Sequence, residues 1–207
     1  MQDSDVELEV KFWVRNLGGV ENRLKDLGAV LVQPRTLERN WRFDNAEGQF
    51  ARERKVLRLR QDTAATLAFK GPPEPNSLIS SRTEIEVQVN DPHSAKRMLE
   101  ALGFRVSWVY EKYRTTFRLN EVNVMLDELP FGDFVEIEGP DSDSIFASAG
   151  ELKLLRECRI LESYSQIFRR VQGSGAEQAN LTFDSFKGRS ADLTLLGYAS
   201  ADQGLAH

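Results

Sequence analysis

The sequence predicts an α+β fold in which a closed antiparallel β-barrel carries helices packed on its outside. Three observations lead there. Short segments alternate apolar and charged residues with a period of two, as half-buried strands do. A strand, a helical stripe and a glycine recur in that order, with Glu84 lying 77 positions after Glu7 and Gly103 lying 75 after Gly28. At least seven short strands result, and closure into a barrel is one way to protect their edges.

Val6 to Val14 is the first strand, apolar at 6, 8, 10 and 12 and charged at 7, 9 and 11. Val20, Leu24 and Leu27 follow at helical spacing, with Gly28 where a C-terminal cap glycine belongs. Ala29 to Phe43 is strand-like, Asp44 to Gly48 has turn chemistry, and Val56–Arg60 and Thr66–Lys70 are two further strands. Three prolines between Gly71 and Ser77 remove donors and fix φ, so that stretch is a loop. Arg82–Val89 opens the second round. Asp91-Pro92 starts its helix, and Ala95, Met98, Leu99 and Leu102 form the stripe that Gly103 closes. Val106–Arg118 and Val122–Leu129 make a strand pair about Asn120-Glu121. Phe134–Glu138 is a third Glu-apolar-Glu strand, followed by a helix from Asp141 through Ile145, Leu152 and Leu155, and Tyr164–Val171 is a last short helix. Beyond Gln172 periodicity is lost. Residues 1–171 are expected to be one domain and 172–207 a mobile tail, with no evident partner for Leu193, Leu195, Leu196 and Tyr198.

Composition narrows the function. The 207 residues carry 27 basic and 32 acidic side chains, a net charge of −5, which excludes a basic chain that coats nucleic acid. With 41% hydrophobic residues the chain reads as an ordinary globular protein rather than a disordered one. No apolar run approaches the roughly 18 residues of a membrane span, and Met1 to Asp5 is polar, so neither a membrane helix nor a secretory leader is expected and the cytoplasm is the expected address. Cys158 alone makes no internal disulfide, and with only His93 and His207 no zinc site of Cys and His ligands can form. Any metal must be held by oxygen. Cys158 is expected in a helix core, His93 exposed, and Trp13, Trp41 and Trp108 in packing roles.

The charged strand faces carry Glu7, Glu9, Glu84, Glu86, Asp127, Glu136 and Glu138 against Lys11, Arg58, Arg60, Lys70, Arg82, Lys112 and Arg114. An antiparallel sheet with one face in water is the simpler explanation of such alternation. Against it stand the pairing of Glu and Arg at i and i+2 and the strongly apolar opposite faces, which suit a covering of helices. If the charged faces turn inward, the barrel holds a polar tunnel, and dry unpaired charges there would cost several kcal/mol per ion. Charges of both signs then invite a polyphosphate bound with divalent cations. Arg and Lys bond phosphate oxygens, while Glu and Asp hold Mg²⁺ or Mn²⁺, hard ions that take oxygen ligands. Phosphoryl chemistry needs mainly positioning and neutralisation, with no His or Cys nucleophile. Neither GxxxxGK[ST] nor GxGxxG occurs.

Glu7-Leu8-Glu9-Val10-Lys11 resembles the ExExK signature of the CYTH superfamily, the triphosphate tunnel metalloenzymes. Leu57–Arg60, Phe69–Pro72, Arg82–Glu86, Glu111–Arg114, Leu126-Asp127 and Gly132–Glu138 agree in order, so the resemblance spans residues 5–171. Gly132–Gly139 and Ser163-Tyr164 look most like the bacterial class IV adenylyl cyclase-like branch. The resemblance implies an eight-stranded barrel and five metal ligands, Glu7, Glu9, Asp127, Glu136 and Glu138, for Mg²⁺ or Mn²⁺. It implies a triphosphate path lined by Lys11, Arg58, Arg60, Lys70, Arg82, Lys112 and Arg114. Lys11, Glu84 and Glu86 are the catalytic candidates, the two glutamates as ligands of a second metal or as groups orienting water. The expected partner is a triphosphate-containing small molecule, with no nucleic acid and no membrane, and a homodimer is left open. Three activities share this inventory: hydrolysis of a triphosphate, which is slightly favoured, cyclisation of ATP to cyclic AMP and pyrophosphate, and polyphosphate or nucleotide binding without turnover.

Overall fold

The computed structural model describes residues 6–75, 77–173 and 179–203. Met1–Asp5, whose polarity argued against a leader, lie outside the described residues, as does Asn76 in the proline-rich loop. Among the described residues no helix is long and apolar enough to cross a membrane.

Eight antiparallel strands close on themselves: β1 (Val6–Val14), β2 (Val30–Asp44), β3 (Val56–Gln61), β4 (Ala65–Lys70), β5 (Ser80–Gln88), β6 (Arg105–Leu119), β7 (Val122–Leu129) and β8 (Gly132–Glu138). Their order is β5-β4-β3-β2-β6-β7-β8-β1, and β1 pairs back onto β5 to complete the circle. A ninth short strand, β9 (Arg159–Ile160), takes over the β1 edge at Lys11 and Phe12, where β5 has ended. The alternation read from the sequence sets the two faces. Val10 and Phe12 point outward into a core shared with Val20 and Leu24 of α1 (Leu17–Asp26) and Ile145 and Ala149 of α4 (Ser142–Glu151). A second cluster joins Phe43 and Leu59 to Leu99 of α3 (Pro92–Ala101), and the one-turn α2 (Gln49–Arg52) lies in the β2–β3 connection. Helices thus cover much of the outside, while Ile85 and Val87 of β5 stay exposed.

The strand-helix-glycine repeat has a structural cause. Gly28 and Gly103 follow α1 and α3 at φ +73° and +91°, the left-handed backbone that lets the chain turn back into a strand. The third round does the same without glycine, at Lys153 with φ +58°. That turn stops α4 at Glu151, so Leu155, expected in the helix body, lies beyond it. Cys158 likewise sits in a single 3₁₀ turn (Arg156–Cys158), half-buried against the outer core, rather than inside a helix.

The described C-terminal residues 179–203 pack on the barrel, which gives Leu193, Leu196 and Tyr198 partners that the sequence did not show. Leu181 bridges Tyr110, pairing with the stretch of β6 that β7 does not reach. Leu181, Phe186 of α6 (Phe183–Phe186) and Leu193 are buried with Trp13, Trp108, Phe131 and Phe134 and with Ile167 and Phe168 of α5 (Tyr164–Gln172), stopping one end of the barrel. Leu196 and Tyr198 pack on the same cluster, and Leu195 stays in water. Farther on, the Ala201 N–H donates to the Trp13 carbonyl and the Asp202 carboxylate accepts from the Arg15 and Asn16 N–H groups. Short turns with no period of their own hold these contacts, which is why periodicity did not reveal them.

Candidate active site

The charged faces do turn inward. They line a cavity of about 190 Å³ whose walls include Glu7, Glu9 and Lys11 from β1, Arg58 and Arg60 from β3, and Lys70 from β4. Arg82, Glu84 and Glu86 come from β5, Lys112 and Arg114 from β6, and Glu136 and Glu138 from β8. Asp127 on β7 is fully buried behind them. The structure therefore gathers all fourteen charged residues singled out in the sequence, though not into one undivided site.

One side of the cavity is a closed ion network. Arg114 grips Asp127 with two bonds of 2.6 Å, Lys112 reaches it at 2.8 Å, and the Tyr164 hydroxyl donates to it at 2.8 Å. Glu136 accepts from Lys11 at 2.7 Å and from Arg114. Burial works to raise the Glu136 carboxyl, but the Lys11, Lys112 and Arg114 charges overcome it and hold the group well below the usual carboxylate range. Burial works against the Lys11 ammonium too, and Glu136 and Glu9 raise it in spite of that.

Two side chains of this network, Glu38 and Tyr164, and one beside it, Asn40, escaped the sequence reading. Glu38 on β2 is 1% exposed and lies 3.7 Å from Lys112 and 3.9 Å from Arg114. Burial pushes its carboxyl up, yet Lys112, Arg114, Arg60 and Arg58 bring it down to about 2. Asn40, two residues on, is fully buried with both amide atoms unpartnered. Tyr164, the first residue of α5, brings its ring beneath the Lys11 ammonium at 4.5 Å. Burial and the Asp127 charge hold its hydroxyl protonated, as a donor. The signal for Glu38 and Asn40 was their parity on β2, obscured by Pro34 and the register shifts on either side of Gln33.

The other side is not neutralised. Glu9 faces Glu138 across the β1–β8 ladder, and among the described residues neither forms an ion pair. Burial, then the charges of Glu7 and Glu9, push the Glu138 carboxyl up to about 7. Glu9 is raised by burial and by Glu136 and Glu7 against the pull of Lys11, and Glu7 is raised although Lys70 stands 2.6 Å away. Lys70 also meets Glu84 at 3.0 Å, while Arg58 is 3.8 Å from Glu84 and 3.4 Å from Glu86. Arg60 pairs with Asp62 in the β3–β4 turn at 3.5 Å. Arg82 forms no ion pair among the described residues, and its Nε is buried without a partner.

These donor sets decide where a cation would fit. Glu7, Glu9 and Glu138 offer hard carboxylate oxygens, crowded with like charge, which suits Mg²⁺ or Mn²⁺. Asp127 and Glu136 are spent on lysine and arginine, and among the described residues no three carboxylates stand at ligating distance of one point. The structure thus does not bring the five expected metal ligands together. Trp13 and Trp108 are packing residues, and His93 is exposed at the start of α3.

Comparison with known proteins agrees with this architecture. The model of the CYTH domain matches residues 5–166. A Methanocaldococcus jannaschii protein provisionally named adenylate cyclase is 26% identical over 140 residues, 67% of this chain and 79% of that one. A Vibrio parahaemolyticus structure with the same provisional name superposes with a TM-score of 0.71 at 24% identity, covering 78% of this chain and 97% of that one. A Hippeastrum adenylyl cyclase, also provisionally named and described as having a dominant triphosphatase activity, gives 0.59 at 19% identity over 79% and 95% of the two chains. The barrel, its inward charges and the family model converge, and the chain belongs to the CYTH domain family.

Proposed function

We propose that this protein is an enzyme acting on a triphosphate group with Mg²⁺ or Mn²⁺, and that it hydrolyses the triphosphate. The supporting observation is the separation of charge within one cavity. Among the described residues Glu9 and Glu138 form no ion pair and Glu7 shares Lys70 with Glu84, while Arg82 lacks a carboxylate and Arg58 meets Glu86 and Glu84 only at 3.4 and 3.8 Å. A phosphate chain carried with a divalent cation satisfies both deficits at once.

In this reading Glu9 and Glu138, joined by Glu7 once it leaves Lys70, would hold the cation, which would neutralise phosphate oxygens and polarise the phosphorus. Lys70, Arg82, Arg58 and Arg60 bind phosphoryl oxygens directly. Lys11, Lys112 and Arg114 enter from the closed network, where Glu136, Asp127 and Glu38 pair with them. Glu84 or Glu86 orients a water for attack on the terminal phosphorus. The bond from that phosphorus to the bridging oxygen breaks, the water proton passes to the carboxylate, and pyrophosphate leaves when inorganic tripolyphosphate is the substrate.

The second reading is cyclisation, in which the ribose 3′-hydroxyl of ATP attacks the α-phosphorus and pyrophosphate leaves. It is favoured by the provisional name of the M. jannaschii relative. Incubating the protein with Mg²⁺ or Mn²⁺ and either tripolyphosphate or ATP separates the two. Orthophosphate is the expected product, and cyclic AMP with pyrophosphate would replace the hydrolase by the cyclase. Lys11→Ala is expected to abolish turnover, and full activity in that variant would overturn the site. Glu136→Gln is the better companion than Glu136→Ala, since an alanine there leaves the buried Lys11 ammonium without its ion-pair partner.

A further inference from the structure

The cavity wall contains one more guanidinium, which neither the sequence motifs nor the closed network accounts for. Arg42 lies on β2 directly between Trp108 of β6 and Arg58 of β3 in the strand register. The ladder shifts by one residue immediately after it, with Ser107 left over on β6 and its hydroxyl donating to the Arg42 carbonyl. Such bulges re-aim side chains beside binding sites. Arg42 lines the cavity and forms no ion pair among the described residues. Three arginines bear on it, of which Arg58 is itself met by Glu86 at 3.4 Å and Glu84 at 3.8 Å. Arg58 on β3, Arg82 on β5 and Arg169 on α5 all act against its charge, as does burial, and the Tyr110 hydroxyl beside Trp108 is the polar group that favours it. Arg82 and Arg58 each have a buried Nε with no partner. Arginines converging on one end of a partly enclosed cavity repel one another unless a multiply charged anion lies between them. The planar fork of each suits phosphoryl oxygens.

We propose that Arg42, with Arg58 and Arg82, forms a subsite for a terminal phosphoryl group, which makes Arg42 a residue that determines how long a phosphate chain the cavity prefers. This rests on the triphosphate reading above and extends it. Arg42 stands on β2, four strands from β1 in either direction around the closed barrel, so a ligand anchored by a cation at Glu9 and Glu138 would meet Arg42 with its far phosphoryl, and a triphosphate would gain from Arg42 where a diphosphate would not.

The test is rapid mixing of the full chain with Mg²⁺ and either tripolyphosphate or pyrophosphate, reading tryptophan fluorescence before turnover, in the wild type and in Arg42→Gln. The expected result is a loss of tripolyphosphate affinity of about tenfold or more, the loss of one charge-assisted contact, with pyrophosphate affinity nearly unchanged. Arg42→Lys, which keeps the charge and loses the fork, is expected to fall between the two and guards against a variant that does not fold. Equal weakening of both ligands in folded variants, or none, would overturn the subsite while leaving the triphosphate reading in place. A wild type that binds neither ligand would overturn the triphosphate reading itself, and the subsite with it.

Discussion

Asp127 meets three donors, from Lys112, Arg114 and Tyr164, whereas Glu138 stands opposite another glutamate with no cation bonded to it. Both lie in one barrel, a few strand positions apart, and were read from the sequence as equivalent metal ligands. The difference separates what a charge does when its partners are supplied by the chain from what it does when they are not. The Asp127 side is internally paired, and its bonds fix the direction of the Lys112 and Arg114 side chains. The Glu138 side is held at a cost in like-charge repulsion and desolvation, and it is where the proposed function would place the cation.

Four substitutions test that contrast, beginning with the largest effect. Asp127→Ala strands Lys112 and Arg114 without their shared carboxylate and should lower stability by about 3–5 kcal/mol, the usual cost of breaking a buried pair from one side. Urea denaturation reads it, and a loss below about 1 kcal/mol would erase the distinction between the two sides. Glu38 gives the pH signature of the closed side. Its carboxyl is held at about 2 in the folded chain against an ordinary 4.5, so its stabilisation is complete above pH 4.5 and is lost as pH falls through 2. The stake is on the order of 3 kcal/mol. Glu38→Gln should flatten that acid limb in thermal melts taken across the window, and an unchanged limb would assign acid unfolding to other carboxylates.

On the open side the sign reverses. Glu138→Gln removes one of three crowded carboxylates, so stability at pH 8 should rise by up to about 1 kcal/mol while Mn²⁺ affinity falls. A destabilised variant with normal Mn²⁺ binding would move the cation elsewhere. At the mouth, Asp62→Asn breaks only the pair with Arg60 and should shift stability by less than about 0.5 kcal/mol. A larger shift there would mean that the network extends beyond the closed side.

The strands were legible because their alternation is strict: Val6–Val14 and Val122–Leu129 occupy the residues their patterns predict. The helix ends were legible where glycine makes the left-handed turn and misplaced where Lys153 makes it, since no residue preference marks a lysine for that conformation. In the site, the paired Glu and Arg residues of β1, β5 and β8 announced themselves by spacing. Glu38, Asn40 and Arg42 obey the same parity on β2, but Pro34 and the nearby register shifts break the pattern before it can be counted. Which carboxylates are neutralised was not legible at all. Asp127 and Glu138 look alike in the chain, and only the strand register decides that one meets Arg114 and the other meets Glu9.

The clasp between Asp202 and the turn after β1 carries a consequence for how the chain folds. It joins groups 187 positions apart, and β1 depends besides on β5 and β8 for its ladders. Contacts so distant in sequence form only after the entropy of closing long loops has been overcome, and proteins that rely on them fold slowly. β1, although synthesised early, is therefore among the last strands to be locked, with its backbone donors and acceptors open to wrong partners until the barrel shuts. In refolding, protection of the Trp13, Arg15 and Asn16 amides against hydrogen exchange should trail that of the local β6–β7 hairpin.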